Sequence, residues 1–570
     1  MTNFAIPPEL SPGFDSLSSD QKYAFSKFAK GNNIFVTGPG GTGKTRLIQY
    51  IVEYANFIGK SYQVCALTGC AAVLLNCKAK TIHSWSGIKL GKGPADEIVR
   101  RIMRNRYIVK SWREVEVLII DEVSMMSRKI FDLLDQIGRI IRKNPGKAFG
   151  GIQLVFTGDF FQLPPIPDYD DPETGEFCFQ HPKWSSTFKP ADCIELQTFF
   201  RQKDPVYIKL LQEIRRGQIS EETADILESR VLRGGATAPP KNGVAPTKLF
   251  PIRAKVDFIN DTTYKKLSGD ERVYHFSVNT KTRTHIDTGN PLTYEELTRC
   301  EELSSDQLKY EVEGLTSSMQ TDKTVRLKIG SLVMCTANID VDRGICNGSQ
   351  GVVVDFAESN TATSIGVEDV DKRYTIVPVV RFSNGLTMRV TSHQRQSEEY
   401  PCIVIAQIPL CLAWALTIHK IQGATLDVAE IDIGKAVFES GQSYVALSRV
   451  KTLDGLYLSD FNPSRIKANP LVVDFYKSFP KISEEFALSE TDRILRSLLP
   501  EATSKPATTY KQTKLSVVKK MEQPNPFAAF TAEFEEEKYV AQQDNASDAL
   551  KESEVSSNSV KTIRLKSHLL

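Results

Sequence analysis

The sequence predicts an α/β protein of two successive parallel-sheet units, with a small basic insert in the first, a small β-barrel insert in the second and a disordered C-terminal tail. Three observations carry this reading. From Asn33 to about Phe200, short apolar runs ending in small or acidic residues alternate with helical stretches. After about Arg201 the rhythm starts again, and between Leu327 and Val390 a block of Val, Gly and alternating apolar residues interrupts it. A chain of 570 residues has room for two to four cores. Its 41% hydrophobic and 25% charged residues exclude a collagen-like, wholly disordered or membrane-embedded protein. The expected boundaries are 1–15 for a flexible N-terminus, 16–204 for the first unit with its insert at 88–113, 205–478 for the second with its barrel at about 320–395, and 479–570 for a mostly disordered tail.

Four runs are expected as buried parallel strands: Ile34 to Val36, Val64 to Leu67, Val117 to Ile120 and Ile152 to Phe156. They end at Thr37, Thr68, Asp121 and Gly158. Open parallel sheets bind ligands at the carboxyl ends of their strands, so these loops should converge on one crevice. The insert carries Lys89, Lys92, Arg100, Arg101, Arg104, Arg106, Lys110 and Arg113 against Asp96 and Glu97, which suits either a solvated helix face or a nucleic-acid contact. In the second unit Lys248 to Pro251 reads as a strand end, and Asn347-Gly348 and Asn384-Gly385 as hairpin turns of the barrel. The unit then resumes at Ile403. Tyr400 to Ile418 is 19 residues long and nearly charge-free, but Pro401, Gln407 and Pro409 interrupt it, so two buried elements around a turn are expected rather than a membrane span. Residues 501–570 lack Trp, balance ten acids with ten bases and hold only 14 Val, Ile, Leu or Phe, too few to offset the entropy of ordering them.

Net charge is +2, so no whole-chain basic excess points to nucleic acid, although local stripes of Lys and Arg suffice for binding. The first residues hold no apolar signal core and no Lys or Arg before Lys22, which argues against a secretory signal or an Arg-rich transit peptide. Ten cysteines include no C-x-x-C pair and share no ligand spacing with the seven histidines, as expected of reduced, buried thiols.

The chemistry concentrates in Gly38-Pro39-Gly40-Gly41-Thr42-Gly43-Lys44-Thr45, a G-x-x-x-x-G-K-[ST] match directly after a predicted strand and opening a predicted helix. Glycines let backbone N–H groups wrap phosphate oxygens, Lys44 can reach the β and γ phosphates, and Thr45 offers a hydroxyl to Mg²⁺. Asp121 and Glu122 follow the third strand, where the first can hold the metal through water and the second can polarise the attacking water. Gly158-Asp159-Phe160-Phe161-Gln162 ends the fourth and places an amide where a γ-phosphate can be sensed.

The stretch Phe149 to Pro165, with its Thr157-Gly158-Asp159-Phe160-Phe161-Gln162-Leu163-Pro164-Pro165 ending, resembles the signature of PIF-type DNA helicases of superfamily 1, on the RecD-like branch. Leu196 to Gln202, Leu249 to Arg253, Asn347 to Gly351, Leu412 to Gly423 and Gln442 to Arg449 match further motifs in the family's order, over about residues 15–475. The resemblance implies two RecA-like lobes, ATP and Mg²⁺ as cofactors, and 5′-to-3′ movement on single-stranded DNA. It implies that Gln21 reads the adenine edge, that Gln162 senses the γ-phosphate, that Arg201 and Arg449 act as arginine fingers, and that Gly423 lies at the nucleotide. Thr68, His83, Thr417, His419 and Lys420 match positions near the DNA, with Gln442, Ser443, Tyr444 and Lys451 beside its path. The basic insert falls where the family carries a strand-separating wedge, and Ile421 stands where many relatives have Ser. Forks, recombination intermediates, telomeric ends and G-quadruplexes are the implied substrates, met by a monomer without membrane contact; the missing transit peptide favours the nucleus over a mitochondrial or viral setting. An ATP-gated scaffold or a translocase that does not separate strands is the competing reading. In the tail, Asn525 can cap and Pro526 can open a short helix that puts Phe527, Phe530 and Phe534 on one face, expected to dock on a replication or repair protein.

Overall fold

A computed structural model describes residues 8–498, except 69, 70, 73, 74, 76, 78, 90, 92, 169, 170, 235, 287, 319, 320, 341, 342, 360–375 and 398. The Phe527, Phe530 and Phe534 stripe lies outside the described residues.

The first unit is a six-stranded parallel sheet in the order Lys80–Thr81, Tyr62–Ala66, Val117–Asp121, Gln153–Thr157, Ile34–Thr37, Cys193–Glu195. Its inner strands are continuous apolar runs because both faces are covered. Alternation divides them: Ile34, Val36, Ile119 and Val155 face a core that includes Phe25, Ile48 and Ile51, whereas Phe35, Leu118, Ile120, Leu154 and Phe156 face one built on Phe131, Phe149 and Trp184. The edge strands Lys80–Thr81 and Cys193–Glu195 are too short for the sequence pattern to reveal.

The basic insert forms two helices, Ala95–Arg104 and Arg106–Glu114, which bury Ile98, Ile102, Val109 and Trp112 and leave Arg100, Arg101 and Arg104 exposed. Trp112 packs on Trp85 with ring centroids 4.7 Å apart.

The second unit has a four-stranded parallel sheet in the order Ala415–Thr417, Thr247–Phe250, Ala429–Ile433, Leu456–Phe461. The β insert is larger than expected and, among the described residues, is not one closed barrel. Its five-stranded sheet runs Thr387–Arg389, Ile376–Phe382, Gln350–Glu358, Leu332–Cys335, Leu410–Leu412, beside a ribbon of Arg272–His275 with Thr324–Leu327 that shares its core. His393–Gln396, Val404–Gln407 and Ser277–Asn279 make a separate three-stranded sheet. Alternation locates the strands, but Leu410–Leu412 pairs with Leu332–Cys335 and Val404–Gln407 with Ser277–Asn279, distant partners that no local pattern discloses. Tyr400 to Ile418 accordingly yields three short strands in three different sheets, and Gln407 is satisfied there by the carbonyls of Tyr274, Asp322 and Lys323.

Two terminal expectations need correction. Phe14, placed in the flexible N-terminus, packs at 5.8 Å from Phe25 and 6.1 Å from Tyr50. The chain also does not leave the folded part at residue 479. Helix Pro470–Lys477 returns to the first lobe, where Phe475 stacks on Phe179 at 4.2 Å, and Glu484–Ser497 buries Ala487, Ile494 and Leu495 in the core that helix Ser19–Ala29 covers. The polar composition of the 70 residues that follow masks this last amphipathic helix. Among the described residues no helix is long and apolar enough to cross a membrane.

Candidate active site

The phosphate loop needs glycine where it crowds its neighbours. A Cβ on Gly38 would stand 2.7 Å from the Leu196 carbonyl oxygen, and one on Gly43, whose φ is +79°, would meet Gln21 Nε2 at 2.5 Å. Gly43 caps helix Lys44–Phe57, so the loop runs into the positive end of a helix dipole. Lys44 Nζ donates to the carbonyls of Gly38 and Pro39, at 2.7 and 3.1 Å. Burial lowers its pKa, while Asp159, Glu122 and Asp121 oppose the shift. Thr45 is half-buried in the first turn.

Asp121 ends its strand accepting from Thr157 Oγ1 and from the Glu122 N–H. Glu122 holds φ +56°, a left-handed conformation that costs energy in a residue with a Cβ and collects at functional sites. Its Oε2 accepts from Gln422 Nε2 of the second lobe at 3.4 Å. Burial raises the pKa of both carboxyls, and Asp121 raises Glu122 further.

Two arginines meet the same loop. The Arg201 backbone N–H donates to the Gly41 carbonyl at 3.3 Å and a Cβ on Gly41 would meet Arg201 Cβ at 2.7 Å, while a Cβ on Gly40 would lie 3.5 Å from Arg449 Nη2. Arg449 is 3% exposed and is anchored by its own helix end, Nε on the Val445 carbonyl and Nη2 on Ser448 Oγ. Burial, and then the Arg449 charge, push the Arg201 pKa down to about 10. Among the described residues, the buried Arg201 Nη1 and Gln162 Oε1 have no hydrogen-bond partner. A Lys and two Arg held this close in a desolvated crevice favour an anion of several charges.

Between the lobes Asp159, with no exposure, accepts from Arg215 Nε and Nη2, from Tyr444 Oη at 3.2 Å and from Tyr476 Oη at 3.4 Å. Tyr476 Oη also meets Thr37 Oγ1 and the Phe160 N–H, tying the strand before the phosphate loop to the loop that carries Gln162. In the sequence Asp159 stands in its motif without a role of its own, and Arg215 and Tyr476 are ordinary amphipathic residues on their helices, with no local signal of this junction.

Gln21 bonds the phosphate loop itself, Nε2 donating to the Gly43 carbonyl at 3.0 Å and to that of Thr42 at 3.4 Å. Gly423, at φ +85°, lies in the turn after His419, and Ile421 is core. Of the expected nucleic-acid residues, Thr68, His83, Thr417, His419 and Lys420 are partly exposed at or just past the ends of strands, and Lys451 pairs with Asp427 at 2.7 Å. Burial lowers the pKa of His83 and His419. Gln442, Ser443 and Tyr444, expected beside the DNA path, are 0%, 3% and 1% exposed, and the Tyr444 hydroxyl reaches the phosphate loop. Their helix is six residues long and buried all round, so no stripe in the sequence marks which side faces the phosphate loop.

A phosphate loop at the end of one parallel sheet, facing an arginine carried by a second, defines a two-lobed P-loop NTPase fold. A family model for PIF1-like helicases matches residues 16–225, and one for the 2B domain of DNA helicase Pif1 matches residues 313–356. The crystal structure of Pif1 helicase from Candida albicans is 34% identical, covering 81% of this chain and 99% of that one with a TM-score of 0.62. Bacteroides sp. Pif1 in complex with ADP-AlF4 is 29% identical, covering 81% and 96%, with a TM-score of 0.61. The ATP-dependent DNA helicase PIF1 of Danio rerio is 34% identical over 478 residues, 83% of this chain and 66% of that protein. The chain belongs to the PIF1-like helicase family. It spans just under two thirds of the length of the curated relatives it matches.

Proposed function

We propose that this chain is an ATP-dependent DNA helicase that moves 5′ to 3′ on single-stranded DNA and opens duplex or G-quadruplex DNA during replication, repair, recombination or telomere maintenance. One observation carries the proposal: Arg449 of the second lobe and Arg201 of the first flank the same phosphate loop. A nucleotide there touches both lobes, and closure follows only if those contacts differ between the open and closed states. Lys44, Arg201 and Arg449 would neutralise charge on the transferred phosphoryl group, Gln162 would sense the γ-phosphate, and Glu122 would polarise the attacking water.

Mg²⁺ fits the residues present. Among the described residues no group of three or more His, Cys, Asp or Glu could hold a metal alone. Mg²⁺ bound to a nucleotide asks only for one or two protein oxygens beside the phosphates, and Asp121 with Thr45 would supply them. The carboxyls of Asp121 and Glu122, both raised by burial, gain from a nearby dication. The metal would shield the phosphate oxygens.

The relatives' name, ATP-dependent DNA helicase, supports DNA as the track, as do the exposed Arg100, Arg101 and Arg104 of the insert where a wedge is expected. Strand displacement on 5′-tailed and 3′-tailed duplexes with ATP and Mg²⁺ tests the proposal. Opening of the 5′-tailed duplex alone is expected. ATP turnover without displacement of either would favour the translocase reading.

A further inference from the structure

Tyr444 Oη accepts the Gly40 N–H at 2.9 Å and donates to Asp159 Oδ2 at 3.2 Å. The side chain thus runs from a helix of the second lobe into the phosphate loop of the first, with the ring 1% exposed. Gly40 N–H is one of the loop donors that a phosphate oxygen would use, and it has a single hydrogen to give. We propose that the Tyr444 hydroxyl and a nucleotide phosphate compete for the Gly40 N–H, so that nucleotide entry releases one bond between the lobes and nucleotide departure restores it. The proposal rests on the reading that this loop binds nucleotide.

The surroundings make the exchange reversible. Asp159 keeps Arg215 whichever partner Gly40 takes, so its buried charge stays paired. Burial and Asp159 push the Tyr444 pKa up, which keeps the hydroxyl protonated and donating to Asp159 at neutral pH. After displacement the ring stays in place and the hydroxyl retains that bond. Tyr444 is therefore a nucleotide-release residue, and its hydroxyl favours the form of the site that has let its product go.

The test uses the full chain and its Tyr444→Phe variant, a fluorescent ADP analogue and a short single-stranded oligonucleotide. Removing the hydroxyl removes the competitor and keeps the ring, so ADP should bind about two- to tenfold more tightly, the worth of one net hydrogen bond. Oligonucleotide affinity without nucleotide should not change. A folded variant, judged by its melting curve, that binds ADP with equal or lower affinity would overturn the proposal, as would loss of oligonucleotide binding, which would make Tyr444 a DNA contact. Hydrogen exchange on the unaltered chain gives a reading independent of the variant. The Gly40 amide should exchange slowly in nucleotide-free buffer, and fast exchange would overturn the proposal. Failure of the unaltered chain to bind ADP at all would instead sink the phosphate-loop reading, and this proposal with it.

Discussion

Replacing Arg215 by Met removes the cation that pairs the most buried carboxylate between the lobes. Arg215, 3% exposed, gives Nε to both Asp159 oxygens at 3.2 and 3.0 Å, Nη2 to Oδ1 at 2.9 Å and Nη1 to Glu195 at 2.7 Å. Its guanidinium also lies 4.6 Å from the Phe161 ring and 5.2 Å from that of Tyr476. Met keeps the apolar stem but leaves Asp159 charged and buried, and breaking a buried pair in this way costs about 3–5 kcal/mol. Three donors to Asp159 remain, from Tyr444, Tyr476 and the Phe161 N–H, so a loss of about 3 kcal/mol is expected, at the low end of that range. Urea unfolding followed by the fluorescence of Trp184, which shares a core with Phe161, measures it. Adding Asp159→Asn removes the stranded charge, so the double variant should recover about 2 kcal/mol relative to the sum of the singles. A single-variant loss under about 1 kcal/mol, or strict additivity, would refute the claim that this pair holds the lobes' junction.

Lys44→Ala should abolish ATP hydrolysis while single-strand binding persists, because Lys44 Nζ lies on the phosphate loop and the residues expected to meet DNA lie on other loops; a filter-binding assay beside a phosphate-release assay checks both halves. Burial would raise the Asp135 carboxyl, but hydrogen bonds from Arg139, the Phe149 N–H and Lys183 outweigh it and hold the pKa below its ordinary value, near 3.9 for a free side chain. A carboxyl depressed on folding stabilises above its unfolded pKa and loses that contribution as pH falls through the folded one. Asp135→Asn should therefore cost about 2 kcal/mol at pH 7, and the gap should close below about pH 4 in melting experiments.

What the sequence discloses follows from how far each feature reaches. The strands Val117–Asp121 and Gln153–Thr157 are legible because their centres, Val117 to Ile120 and Leu154 to Phe156, are apolar and buried on both faces, and the phosphate loop because its glycines and Lys44 are contiguous. Arg215, Tyr444 and Tyr476 are not legible as a set, since each acquires its meaning from Asp159, a partner 56, 285 or 317 residues distant. Tyr444 is the instructive case. Its motif marks the neighbourhood, but the side of a six-residue helix that faces the loop is fixed by packing. The return of residues 470–498 to the first lobe is hidden for another reason, because Phe475 and Tyr476 complete a core whose first-lobe members are spread from Phe35 to Cys193.

On the proposed function, a nucleotide on the phosphate loop is completed by an arginine from the other lobe. Single-turnover ATP hydrolysis with saturating single-stranded DNA, comparing the unaltered chain with Arg449→Ala, addresses it most directly. Loss of a transition-state arginine costs on the order of 10³-fold or more in rate, so the variant should bind ATP with little change and turn it over at least about a thousandfold more slowly. Turnover at the unaltered rate would show Arg449 to be a structural residue and would contradict the account.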